Sequence, residues 1–195
     1  MARYNKEHKE ATRQRIIETA GRRFKQDGID GSGIATLMSD AGLTNGAFYA
    51  HFDSKDDLVT TVVGDQLVRQ ATSFGELPPG RAGLEAFVGW YLSPDHRDHR
   101  DLGCPSAALL DEIGRCDKAT KRAYTNGAKT ILDEICVRLA PEDPGSARGT
   151  ALALYSMLVG AMQLARAVSD RKLSDAVLAE GITTAKAMLA AAARS

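Results

Sequence analysis

Apolar residues recur three and four positions apart through most of the chain, the period of helices packed along one face. The pattern is most informative across residues 32–58, SGIATLMSDAGLTNGAFYAHFDSKDDL. Ile34, Leu37 and Met38, with Ala41 one turn on, share a face of a short helix. Gly42 supplies its stop, because a residue without Cβ enters the left-handed conformation cheaply. Thr44 is placed to cap a second helix with its hydroxyl, turning Ala47, Phe48 and Phe52 inward. Asn45, Gly46, Tyr49 and His51 then occupy the other faces. Ser54 opens a third helix, with Asp57 completing a capping-box-like pattern. Ala41-Gly42-Leu43-Thr44 fits the bend of a helix-turn-helix, which offers its second helix to the major groove of DNA. A helical hairpin with no nucleic-acid role is the other reading of the same residues. Lys55 in the first turn opposes the helix dipole, a cost that a phosphate partner would offset.

Beyond Ser54 the pattern predicts helices separated by breakers. One runs from about Ser54 to Phe74 and ends in Gly75 and Pro78-Pro79-Gly80. The next, about Arg81 to Leu92, carries Leu84, Phe87, Val88, Trp90 and Tyr91. Residues 93–103 read as a polar loop. Pro105, at the tolerated first position, starts a helix behind Cys104. Further helices span about Asp117–Leu139, Ala147–Ser169 and Ser174–Ala193. No sustained period-two alternation occurs, so strands are not expected. The result is an all-α fold of about nine helices.

Composition adds limits. A chain of 195 residues can bury a substantial core. Its formal net charge is zero, so bulk charge says nothing for nucleic acid. Locally the balance differs. Residues 1–25 hold eight Lys or Arg (Arg3, Lys6, Lys9, Arg13, Arg15, Arg22, Arg23, Lys25) against Glu7, Glu10 and Glu18, an excess of five positive charges. That is a phosphate-binding footprint or an ordinary solvated face. The charged N-terminus lacks an apolar stretch, and residues 149–165 are too short and polar for a membrane span, which points to a soluble cytoplasmic protein. Three cysteines without a framework spacing suit free thiols.

The run Ala41 to Phe52, followed by Ser54-Lys55 and Leu58, resembles the signature of TetR-type repressors, as do Ala20, Phe24 and Gly28 upstream. The resemblance implies a three-helix DNA-binding head (residues 1–53) and a helical regulatory and dimerisation domain (residues 54–195). It also implies a homodimer formed through the last two helices, a palindromic double-stranded operator and a small-molecule inducer, without cofactor, catalytic residue or metal. Asn45, Gly46 and Ala47 would face base edges, while Thr44, Tyr49, His51 and Lys55 would contact phosphates. Many members have threonine where this chain has Gly33; Ser32 is the candidate substitute as a phosphate donor.

Phe87, Trp90, Tyr91, Tyr124, Tyr155 and Met157 could line an apolar inducer pocket or simply form core. Cys104, at a helix N-terminus near Arg97 and Arg100, is either a reactive thiolate or a small buried side chain. The stretch from Gly103 to Leu109 is similar to a segment in TetR-type regulators, some of whose relatives sense electrophiles or oxidants. Cys116 is a candidate resolving thiol. The competing class is a helical thiol- or metal-dependent hydrolase built on His96, His99 and Cys104, for which the pattern offers two histidines and no defined third ligand.

Overall fold

The computed structural model describes residues 2–192, with side chains from Glu7 onward. Helices account for all regular structure among the described residues: α1 (Ala2–Asp27), α2 (Ile34–Asp40), α3 (Lys55–Ser73), α4 (Gly80–Tyr91), α5 (Pro94–Asp98), α6 (Pro105–Arg115), α7 (Lys118–Leu139), α8 (Arg148–Ala167) and α9 (Arg171–Ala192). Short 3-10 segments lie at Asn45–Ala50, Phe74–Glu76, Arg100–Leu102 and Pro144–Ala147. The expected end of the last helix, Ala193, and the side chains of Arg3 and Lys6 lie outside the described residues.

Local chemistry explains most boundaries. Ser54 Oγ accepts from the Asp57 amide at 3.1 Å, and the Asp57 carboxylate accepts from the Asp53 amide at 3.1 Å. This is a capping box displaced by one residue. Asp117 caps α7 by accepting from the Thr120 amide at 2.8 Å. At Gly127 a Cβ would collide with Leu67 of α3, so the missing side chain lets α7 lie close against that helix. Asp170 starts α9 by accepting from the Lys172 amide at 2.9 Å, ahead of the expected start at Ser174, whose hydroxyl instead donates to the Ala165 carbonyl.

Two expectations need correction. Residues 93–103 are not a loop. Ser93 caps α5 by accepting from the His96 amide at 3.0 Å, and Pro94 occupies the first turn. His96 and Arg97 are buried rather than solvated. Arg97 holds Asp98 and Asp175 at 2.8 and 2.6 Å, so long-range ion pairs stabilise a turn too short to show a period. The recognition segment, in turn, is a 3-10 helix of six residues, tightened by an Ala47 amide bond to the Thr44 carbonyl at 3.0 Å. Asn45 and Gly46 are weak α-formers, and Thr44 takes the capping position without a side-chain capping bond. The nine α-helices among the described residues therefore match the expected number by exchange: α5 is gained and the recognition segment is 3-10.

The core is continuous from head to body, running from Ile16, Ala20 and Phe24 of α1 through Leu58 and Val62 to Tyr91, Ile135 and Leu158. Helix α8 buries Leu154, Tyr155, Leu158, Val159 and Met162, yet Leu152 and Leu164 on its other side, with Leu173 of α9, are exposed. No helix among the described residues is long and apolar enough to cross a membrane.

Candidate nucleic-acid interface

The bend between α2 and the recognition segment is built from backbone hydrogen bonds. Leu43 N–H donates to Met38 O at 2.8 Å and Gly42 N–H to Ser39 O at 2.9 Å, with Gly42 at φ +67°. These are the paired bonds of a Schellman stop, available only because Gly42 has no Cβ to strain. Phe48 and Phe52 are buried beneath the recognition segment with ring centroids 5.7 Å apart. Their burial fixes which side faces out. Thr44, Asn45 and Gly46 are exposed, Tyr49 is 65% exposed, and Ala47, His51 and Lys55 are half-buried.

Seven of the eight expected DNA-facing residues are thus exposed or half-buried. Ser32 is not. It is buried, and its hydroxyl donates to the Gly28 carbonyl at 2.8 Å, closing the turn after α1 instead of reaching phosphate. The basic leading segment also divides. The Arg13 guanidinium lies 4.8 Å from the centroid of the Phe52 ring. Burial first, then the charges of Lys9 and Arg13, hold the His51 imidazole below its usual pKa, so a positive field converges where the recognition segment ends. Arg23, by contrast, pairs with Asp27 and Asp40 at 3.1 and 3.3 Å. Lys25 turns inward and donates to Gly103 O at 2.8 Å. Burial pulls its pKa down to about 8. A helix of this length spreads its charges over about 40 Å, so one face cannot serve one partner.

Lys25 is one of two struts from head to body. Glu112 of α6 accepts from the Ile29 amide at 2.7 Å, just after the Gly28 turn. Between them, α1 and the body enclose a cleft of about 410 Å³. Of the expected ligand residues only Trp90 and Cys104 line it. The expected apolar pocket is filled by its own side chains. Phe87, Tyr91 and Tyr155 are buried, with ring centroids 5.5 Å (Phe87–Tyr91) and 6.5 Å (Tyr91–Tyr155) apart. Tyr124 and Tyr155 both share hydrogen bonds with Ser106 Oγ at 3.0 Å, while Met157 packs against the core edge.

Cys104 is buried at the start of α6, and its thiol donates to Gln70 Oε1 at 3.1 Å. Arg97, expected to add positive potential, points instead to Asp98 and Asp175. Cys116 caps the far end of the same helix, about 18 Å away by helical rise, which rules out direct pairing of the two thiols in this fold. The Cys104 amide donates to His96 Nε2 at 3.0 Å, so Nδ1 carries the proton and donates to Tyr91 O at 2.7 Å. Both imidazole nitrogens are thereby occupied, and burial holds His96 neutral with a pKa near 4. His99 lies at the surface beside Asp95. Among the described residues no cluster of three His, Cys, Asp or Glu could hold a metal, so the hydrolase reading lacks both its base and its ligand set.

A glycine-stopped helix presenting an exposed second segment, carried on a helical body, is the geometry of a helix-turn-helix. Residues 16–62 match the tetR family of bacterial regulatory proteins. The chain is similar to the probable HTH-type transcriptional regulator ArpR of Pseudomonas putida, 38% identical over 85 residues, a match covering 40% of each chain. It is 25% identical over 129 residues to the HTH-type transcriptional repressor AcnR of Corynebacterium efficiens, spanning 66% of this chain and 64% of that one. In fold it is similar to the reduced form of Escherichia coli NemR, with a TM-score of 0.78 and 20% identity over 90% of this chain and 95% of the other. Residues 16–62 thus carry a tetR-family segment, and the whole chain shares the fold of TetR-family regulators.

Proposed function

We propose that this protein is a homodimeric repressor that works in the cytoplasm and grips a palindromic operator with its two heads. A small-molecule inducer, or modification of the Cys104 thiol, then releases it. The observation that carries this reading is the exposed face of Thr44, Asn45, Gly46 and Tyr49 over the buried Phe48 and Phe52. Asn45, Gly46 and Ala47 read base edges; Thr44, Tyr49, His51 and Lys55 hold phosphates, aided by Lys9 and Arg13. The exposed leucines of α8 and α9 support pairing of those helices with a twofold mate, which sets the heads about 34–36 Å apart or near a multiple of that spacing. Thiol control is supported by Cys104 lining the cleft between head and body, and by the fold shared with NemR, described in a reduced form.

Fragments selected from the source genome provide the operator for the test. Lys55→Ala is expected to weaken binding to every duplex and to lower the salt slope by roughly one. Asn45→Ala is expected to change which operators are preferred. Unchanged affinity and slope in Lys55→Ala would refute the phosphate contact. Mild oxidation should release wild-type protein while Cys104→Ser stays bound; equal responses would remove the thiol from the mechanism.

A further inference from the structure

The cleft between α1 and the body has the size of a small-molecule site, within the roughly 300–1,000 Å³ such sites occupy. Its walls come from both parts of the chain: Arg22 and Lys25 of α1, Gln66 and Gln70 of α3, Trp90 of α4, and Cys104. Two polar atoms there have no partner. Gln70 is 9% exposed; its Oε1 accepts from the Cys104 thiol, which orients the amide and leaves Nε2 buried and unpaired. One turn earlier, Gln66 Oε1 is also buried and unpaired. An orphan donor on Gln70 and an orphan acceptor on Gln66 thus belong to side chains one helical turn apart on α3. A buried polar atom left without a partner is costly, and a ligand that pairs with it recovers that cost.

The charges lining the cleft balance, with Arg22, Lys25 and Arg69 facing Glu18, Asp65 and Asp101. Arg69 already pairs with Glu18 and Asp65, both at 2.9 Å. A ligand of one strong sign gains little from such a lining, so hydrogen-bond pattern and shape decide. Trp90 supplies the shape. One ring face stacks on His96 at 4.8 Å and 12°, and the indole remains 48% exposed.

We propose that this cleft binds a planar ring whose edge carries a carbonyl beside an N–H, as in a lactam or an oxopurine. The carbonyl accepts from Gln70 Nε2, the N–H donates to Gln66 Oε1, and the ring lies against Trp90. The contacts come from α3 and α4, and the opposite wall of the cleft is formed by Arg22 and Lys25 of α1, so a ring that fills the cleft sets how closely α1 approaches the body. Its role as inducer rests on the regulatory reading above; binding itself is measured without DNA.

Trp90 is the only tryptophan, so its emission reports the site directly. Hypoxanthine titrated into the full-length protein is expected to quench that emission saturably. The 1-methyl derivative, which lacks the edge N–H, should bind at least tenfold more weakly. Gln66→Leu and Gln70→Leu should each weaken hypoxanthine binding at least tenfold, with helical circular dichroism and unliganded Trp90 emission unchanged. Absence of saturable quenching by millimolar hypoxanthine, or equal binding of the methylated ring, would overturn the proposal, as would tighter binding of benzoate. The ring comparison on wild-type protein stands even if a glutamine variant misfolds. Hypoxanthine that binds without altering operator affinity overturns the inducer role alone, whereas failure to bind any operator overturns the regulatory reading and leaves the site intact.

Discussion

His96 shows how a single side chain can decide what a region does. Its ring joins the Tyr91 carbonyl to the Cys104 amide and stacks beneath Trp90, all as the neutral imidazole. Burial lowers its pKa to about 4 from an ordinary value near 6.5. The unfolded chain therefore takes up the proton first as acid is added. The stabilisation is complete above about pH 6.5 and is lost as pH falls towards 4, an effect of up to ~3 kcal/mol. Denaturant titrations of wild type and His96→Gln should diverge most at pH 7 and converge near pH 4. A constant difference across that range would show that the ring's protonation is not linked to folding. None of this was legible in the sequence, where the Asp-His-Arg repeats suggest hydrated loop. The His96 ring is held by near neighbours, but the segment is closed over by residues 70 and 78 positions away, Arg166 on the His96 carbonyl and Asp175 on Arg97.

At the scale of elements, the head was the most legible part because its signals are local. Gly42, Ser54 and the inward phenylalanines each act within a few residues, and each does what its chemistry requires. The Ser32 hydroxyl and Lys25 escaped that reading because their partners are backbone carbonyls, which leave no trace in residue identity. The helix-turn-helix can be tested at its bend. An added Cβ at Gly42 meets nothing within 4 Å, so Gly42→Ala is charged only the left-handed backbone strain, ~1–2 kcal/mol. At Gly127 the backbone is ordinary but Leu67 stands in the way, and overpacking of about 1–3 kcal/mol is expected for Gly127→Ala. The two differ in consequence: Gly42→Ala should impair operator binding beyond its effect on melting temperature, while Gly127→Ala should lower stability with DNA affinity retained in the folded fraction. Matching effects on DNA affinity would show that the bend is not specifically coupled to recognition.

For the whole molecule, the decisive property is association. A continuous core runs through one chain, yet Leu152 and Leu164 face outward from α8 and Leu173 from α9. Sedimentation is expected to give twice the 20.9 kDa chain mass, and Leu152→Glu with Leu164→Glu should shift it to one chain while helical content persists. A wild-type mass of 20.9 kDa at micromolar concentration would refute the dimer. The apolar girth of α8 is legible in the sequence, and it is the exposed leucines of α8 and α9 that the dimer test addresses. The cleft is not legible there, because it joins α1 to segments 40 to 80 residues downstream.

The struts from Lys25 to Gly103 and from Glu112 to Ile29 deny the reading head an independent resting position. Its tilt is inherited from wherever residues 103–112 come to rest. Under the proposed function, substitutions deep in the body, remote from the helix-turn-helix, should therefore retune operator affinity as they accumulate. A lineage could change its threshold for release while every residue that touches DNA stayed the same.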